Sequence, residues 1–185
     1  MDGVLCSTDE YHYRAWEGAL RIGLASPLTG ERNGLLRGVS RMDSLNIILE
    51  KSDKVYSQDE KNAMAEEKNT RYRQLLNQMS PADLSCDVKR TLDTMRARGL
   101  KLAIGSSSKN TPFILERMGL DGFFDAVADG NCITHSKPNP EVFLKAAEML
   151  GLKPEQCVVV EDAHAGVEAA KAGGFACAAM GTPRR

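Results

Sequence analysis

Between residues 100 and 180, four short apolar runs alternate with segments patterned as helices, and no other feature narrows the fold as much. The runs are Leu100–Ile104, Phe124–Ala128, Cys157–Val160 and Phe175–Met180. Helical patterns fall at Asp87–Arg98, Pro112–Met118, Pro140–Leu150 and Ala163–Ala172. The punctuation agrees: Gly99, Gly151 and Gly173-Gly174 close helices, Pro112 and Pro140 suit first turns, and Asn139 is an N-cap. Strands alternating with helices imply a parallel, doubly wound sheet, hence an α/β core.

The run Cys157-Val158-Val159-Val160 is apolar and β-branched, which predicts a strand buried on both faces. It ends in Glu161-Asp162, and ligands of open α/β sheets bind at the carboxyl ends of strands. Two hard oxygen donors there, with no cysteine or histidine ligand spacing alongside, suit Mg²⁺ better than zinc. Read locally, the same pair is an acidic helix start favoured by the macrodipole.

Residues 9 to 79 follow another rhythm. Asp9–Ile22 reads as a helix with Trp16, Ala19 and Leu20 on one side and His12 a turn from Trp16. Ala25–Gly34 reads as loop. A second helix starts at Met42, with Leu45, Ile48 and Leu49 at helical spacing. The capping box Ser57-Gln58-Asp59-Glu60 opens a third, running to Met79. Its buried stripe is Tyr72, Leu75, Leu76 and Met79, with Lys68 and its neighbours mostly solvated. With no strand in this stretch, residues 7–79 read as a helical insert in a core made of 1–6 and 80–185.

The chain has 185 residues and a formal net charge of −1. It shows no basic footprint for nucleic acid or an anionic membrane and no apolar run of membrane-spanning length. Its five cysteines are scattered, odd in number and without CxxC spacing. They read as the reduced thiols of a cytoplasmic protein.

Three stretches carry anion chemistry. Gly105-Ser106-Ser107-Ser108-Lys109-Asn110 is a strand-to-helix turn of hydroxyls, a lysine and free helix-start amides, the parts of a phosphate cradle. Leu36-Arg37-Gly38-Val39-Ser40-Arg41 puts two guanidinium groups near a helix start. Taken singly, Arg41 is a surface group paired with Asp43 or Glu50, and His12 a packing histidine. Lys137 lies between Ser136 and Pro138 on backbone stiffened by Pro138 and Pro140, which reads as a placed ammonium. Asp2, Ser106, Lys137 and Glu161-Asp162 would stand at four strand ends, if a strand precedes Asp2, and would form one site.

That set resembles the four motifs of the haloacid dehalogenase superfamily: Asp2-Gly3-Val4, the turn at Ser106, Lys137, and Glu161-Asp162. The insert is similar to that of the β-phosphoglucomutase family, in Thr8-Asp9-Glu10-Tyr11-His12-Tyr13-Arg14-Ala15-Trp16, Gly38-Val39-Ser40-Arg41 and Lys68-Asn69. Ser80-Pro81-Ala82-Asp83 and Ser106-Ser107-Ser108-Lys109-Asn110 extend the likeness to nearly the whole chain. The family's first motif is Asp-x-Asp-Gly, of which Met1-Asp2-Gly3 matches only the last three positions. The resemblance thus implies that the nucleophilic aspartate and its strand lie upstream of Met1, and that a final strand and helix follow Arg185. Ser85-Cys86-Asp87 replaces a usual Pro-Gly, and Ser107 a frequent alanine.

The resemblance also implies roles. An aspartate before Met1 would carry phosphorus as an aspartyl phosphate. Asp162, Glu161 and the backbone carbonyl of Asp2 would hold Mg²⁺, Ser106 and Lys137 would bind the phosphoryl oxygens, and Asp2 would be general acid/base. Arg41, Ser108, Lys109 and Asn110 would grip the second phosphate, with Ser40 and Ser107 beside it. Thr8, His12 and Lys68 would form the hinge and cap face, and Trp16, Gly38, Val39 and Ser44 would shape the closed pocket. The implied reaction interconverts β-glucose 1-phosphate and β-glucose 6-phosphate through the 1,6-bisphosphate, in a monomer whose partners are small sugar phosphates. Two alternatives stay open: a sugar-phosphate phosphatase of the same superfamily, and a non-catalytic sugar-phosphate or metal binding module.

Overall fold

The computed structural model describes residues 1–20, 36–50, 52 and 54–181. The expected loop at Ala25–Gly34, the extension of the first helix to Ile22 and the end at Arg184-Arg185 lie outside them.

The helical insert comprises α1 (Asp9–Leu20), α2 (Arg41–Leu49) and α3 (Gln58–Leu76). Ser40 caps α2 by accepting from the Asp43 amide at 3.2 Å. At the start of α3 both arms of the capping box form: Ser57 Oγ accepts from the Glu60 amide and Glu60 Oε2 from the Ser57 amide. The helix closes at Leu76, three residues before the expected Met79. Trp16, Leu45, Ile48, Leu49, Tyr56 and Ala65 bury their side chains together as the insert's own core.

Lys68 corrects the sequence reading. Expected among solvated neighbours, it is only 2 % exposed. Ala65, Lys68, Tyr72 and Leu76 are the buried residues of α3, at spacings of three and four, so Lys68 stands on the stripe that faces α1.

The core follows as α4 (Cys86–Ala97), β1 (Ala103–Gly105), α5 (Thr111–Arg117), β2 (Ala126–Ala128), α6 (Glu141–Leu150), β3 (Val158–Glu161), α7 (His164–Ala172) and β4 (Ala176–Ala179). Single 3₁₀ turns lie at Pro81–Asp83 and Pro154–Gln156. The strands are shorter than the apolar runs for local reasons. Gly99, at φ +78°, ends α4, and the Leu100 amide is spent on the Met95 carbonyl. The Leu102 amide goes to the Asp125 carboxylate at 2.8 Å, just outside the ladder. Helix α6 starts one residue later than expected, and Asn139 still serves it, its side chain accepting from the Glu141 amide at 3.0 Å.

Strand β1 pairs with β2 and β3 with β4, both in parallel. Among the described residues the two pairs share no ladder. Helices cover both faces of the β1–β2 pair. Ile104 packs in one cluster with Leu92, Ile114, Leu115 and Met118, and Ala128 in another with Val142 and Phe143. Strand β3 differs from expectation. Val159 is buried against α6 and α7, but Val158 is 67 % and Val160 39 % exposed. A β-branched run dictates extended backbone; how many layers cover it depends on the other elements.

Candidate active site

At the carboxyl ends of β1 and β3, Lys137 ties the two strand pairs together. Its Nζ donates to the Gly105 carbonyl at 3.3 Å and meets Glu161 Oε2 at 3.2 Å. Both side chains are 4 % exposed. Phe143 lies under the ammonium, 4.5 Å from Nζ to the ring centre. A buried carboxylate needs a partner of this kind, so Glu161 is committed to Lys137 first. Its neighbour Asp162 stays more open. Burial, and then Glu161, raise the Asp162 carboxyl above its usual range, while the Met1 ammonium and Arg37 pull it down.

The chain enters the site through a tight turn. The Gly3 amide donates to the Cys6 carbonyl at 2.7 Å, with Gly3 at φ +71°. The Asp2 carboxylate is held by the residue that precedes α1: Thr8 donates to Oδ1 from its amide and to Oδ2 from its hydroxyl, each at 2.6 Å. The Tyr72 hydroxyl donates in turn to Thr8 Oγ1 at 2.9 Å, so α3 positions Asp2 through Thr8. The Met1 amino group is enclosed. Burial and then Lys137 lower its pKa, and Met1 borders the same cavity as Lys137.

Over the opposite wall sits a nest of aromatic and basic groups. Lys68 Nζ is 2.8 Å from His12 Nδ1, 4.2 Å from the centre of Tyr72 and 5.3 Å from that of Trp16. His12 stacks on Tyr72 at 4.1 Å. Burial, then Lys68 and Arg41, drive the His12 pKa well below its ordinary value. Burial and then Arg41 bring Lys68 down to about 7. Arg41 meets Glu66 at 3.5 Å, rather than the expected Asp43 or Glu50, and burial lowers its pKa too.

Asp2, Thr8, His12, Arg41, Lys68, Tyr72, Lys137, Glu161 and Asp162 line one cavity of about 490 Å³. Every site residue singled out from the sequence borders it: Asp2, Thr8, His12, Trp16, Gly38, Val39, Ser40, Arg41, Ser44, Lys68, Ser106, Ser107, Ser108, Lys109, Asn110, Lys137, Glu161 and Asp162. The serine turn faces the cavity with Ser106 and Asn110 buried. Its hydroxyls are partly used internally, Ser106 Oγ accepting from the Ser108 amide and Ser108 Oγ from the Asn110 amide. Asn110 reaches Asn69 of α3 at 3.0 Å.

Residues not singled out also matter. Tyr72 is legible from sequence only as a buried stripe position, with nothing to foretell its hydroxyl contact. Arg37, read only as part of an anion motif, pairs with Asp9 and lies 3.7 Å from Asp162. Asp43 accepts from Ser136 across the cavity mouth.

Among the described residues, no three His, Cys, Asp or Glu side chains form a ready cage for a metal ion. The donors present still fit an ion that keeps several waters and borrows substrate oxygens. A Cβ on Gly3 would collide with the Asp162 carboxylate, so glycine is what lets that carboxylate close on the Asp2–Gly3 backbone.

Helices on both faces of parallel strands, a helical insert over the strand ends, and a lysine bridging two of those ends define an α/β protein of hydrolase type with a cavity at the strand ends. The family model for haloacid dehalogenase-like hydrolases matches residues 1–174, and the chain belongs to that family. Within it, the chain is 35 % identical over 184 residues to the β-phosphoglucomutase of Bacillus subtilis, spanning 98 % of this chain and 80 % of that one. It is 30 % identical to a phosphorylated carbohydrates phosphatase of Thermotoga maritima, spanning 95 % and 79 %. The crystal structure of a β-phosphoglucomutase from Clostridium difficile superposes with a TM-score of 0.91 at 35 % identity, covering 98 % of this chain and 82 % of that one.

Proposed function

We propose that the chain is a phosphoryl-transfer isomerase interconverting β-D-glucose 1-phosphate and β-D-glucose 6-phosphate through the 1,6-bisphosphate. One observation carries this reading: the cavity has cationic or hydrogen-bonding walls on both sides. The core contributes Ser106–Asn110 and Lys137, and the insert contributes Arg41 and Lys68. A mutase must hold two phosphates at once and exclude water, whereas a phosphatase needs one such wall. The relatives on both sides of that choice keep a sugar-phosphate phosphatase as the second reading.

In this mechanism the attacking carboxylate would be an aspartate immediately before Met1, a residue that borders the same cavity as Lys137. Lys137 and the Ser106 turn hold the phosphoryl oxygens and offset the charge spread in transfer. Asp2, held by Thr8, takes or returns the proton of the sugar hydroxyl. Arg41, Ser108, Lys109 and Asn110 keep the far phosphate in place. Asp162 and the Asp2 carbonyl would hold Mg²⁺, with Glu161 as a contributor or as the partner that sets Lys137. The ion would supply charge neutralisation at the phosphate. We place the boundaries of the insert at 7 and 79, and the protein as a cytoplasmic monomer, in keeping with its five free thiols.

The test extends the chain upstream with an aspartate one residue before Met1 and supplies β-glucose 1-phosphate, Mg²⁺ and a trace of bisphosphate. Glucose 6-phosphate is expected as the product. Free phosphate without it would move the assignment to the phosphatase. The chain starting at Met1 is expected to form no phosphoenzyme, and phosphoenzyme formation by it would overturn the placement of the nucleophile.

A further inference from the structure

Helix α3 meets α5 along one seam. Asn69, Arg73 and Asn77 recur at helical spacing, and each touches α5 or the residue that leads into it. Asn110 Nδ2 donates to Asn69 Oδ1 at 3.0 Å. The Arg73 guanidinium lies 4.8 Å from the centre of the Phe113 ring. Arg117 closes the seam, donating from Nη2 to the Asn77 carbonyl at 2.9 Å and to the Met79 carbonyl at 2.8 Å. The last turns of α3 are thus aligned on the helix that follows the serine turn.

The Asn69 contact is the one that reaches the cavity wall. Asn110 stands at the N-cap of α5, where an asparagine side chain ordinarily accepts from an amide of the first turn. Here it makes no such bond. The side chain is buried and is given to the insert instead. A carboxamide nitrogen carries two N–H groups. Committing one of them to Asn69 fixes the plane of the group and leaves the other for an acceptor in the cavity. Asn110 borders that cavity and Asn69 does not, so any influence of Asn69 on a ligand passes through Asn110.

We propose that Asn69 is a positioning residue for the far phosphate: its side-chain oxygen holds the Asn110 carboxamide turned away from the α5 cap and toward that phosphate. The inference rests on reading Ser108, Lys109 and Asn110 as the grip on the second phosphate. It adds an outer support, supplied by the insert from behind the cavity wall. Without that support, Asn110 is released to cap its own helix and the grip loses an aimed donor.

The experiment measures binding of β-glucose 1,6-bisphosphate by calorimetry, with MgCl₂ present, to the chain starting at Met1, together with its thermal melt. Asn69→Ala should weaken binding about two- to tenfold, the fold-change of one net hydrogen bond. The melting temperature should hold, because the freed Asn110 caps α5. In an Asn110→Ala background, Asn69→Ala should weaken binding no further. By NMR, the bisphosphate should shift an Asn110 side-chain N–H resonance in the parent, and shift it less in Asn69→Ala. Equal affinity in parent and Asn69→Ala would overturn the positioning role alone. Weakening that adds to that of Asn110→Ala, with a lower melting temperature, would be general loosening and would also overturn it. A parent that binds no bisphosphate, or binds it equally well as Asn110→Ala, would overturn the reading of the serine turn, and the positioning role with it.

Discussion

Lys68 carries the sharpest conflict between a side chain and its surroundings. Its ammonium is buried against two aromatic rings and a neutral imidazole, and its pKa falls from 10.5 to about 7. The unfolded chain holds that proton up to its ordinary range, so between about pH 7 and pH 10 it binds more protons than the folded one. Stability contributed through Lys68 therefore rises with pH across that window and is lost as pH falls toward 7. Lys68→Met should remove a slope of up to about 1 kcal/mol per pH unit, read from urea midpoints at pH 7 and 9. The position was legible in principle, because its spacing from Tyr72 and Leu76 is helical. The charge hid it, since a lysine on a buried stripe is rare without a partner. Asp2 presents the opposite case. Its candidacy came from the resemblance of Asp2-Gly3 to the family's first motif, but its fixation by Thr8 and Tyr72 needed three elements to meet. In the extended chain, Asp2→Asn should lower turnover by about 10²- to 10⁴-fold with little change in melting temperature.

At the scale of elements, turns and caps decide where this chain does its chemistry. The capping box at Ser57 and the glycine ends of α4 and α6 could be read directly, because each satisfies backbone groups within a few residues. Gly38 depends on a longer reach. It holds φ +79°, and its carbonyl meets Ser107 from 69 positions away. Gly38→Ala should cost about 1–2 kcal/mol in the left-handed region and push the insert off Ala163. Chemical denaturation would measure the first effect, and a raised KM for the sugar phosphate the second. The strands illustrate the limit of local reading. Leu100 has the composition of a strand residue, but its amide closes the preceding helix. Val158 and Val160 look like core and face solvent.

For the molecule as a whole, Lys137 is the tie between two strand pairs that share no ladder among the described residues. Lys137→Ala would leave Glu161 buried without its counter-charge, a loss of about 3–5 kcal/mol for a broken buried pair. The double variant Lys137→Met, Glu161→Gln should recover most of that stability while phosphate binding stays lost, as thermal melts and phosphate titration would show. By itself the sequence determined the α/β alternation, the helical insert and the identity of the polar groups, because periodicity, capping and turn chemistry act over one or two turns of chain. Only the tertiary structure decided that those groups border one cavity, that Glu161 answers to Lys137 while Asp162 faces the insert, and that Lys68 is buried. Each of those outcomes depends on burial and charge pairing between residues 24 to 125 positions apart, which no local pattern encodes.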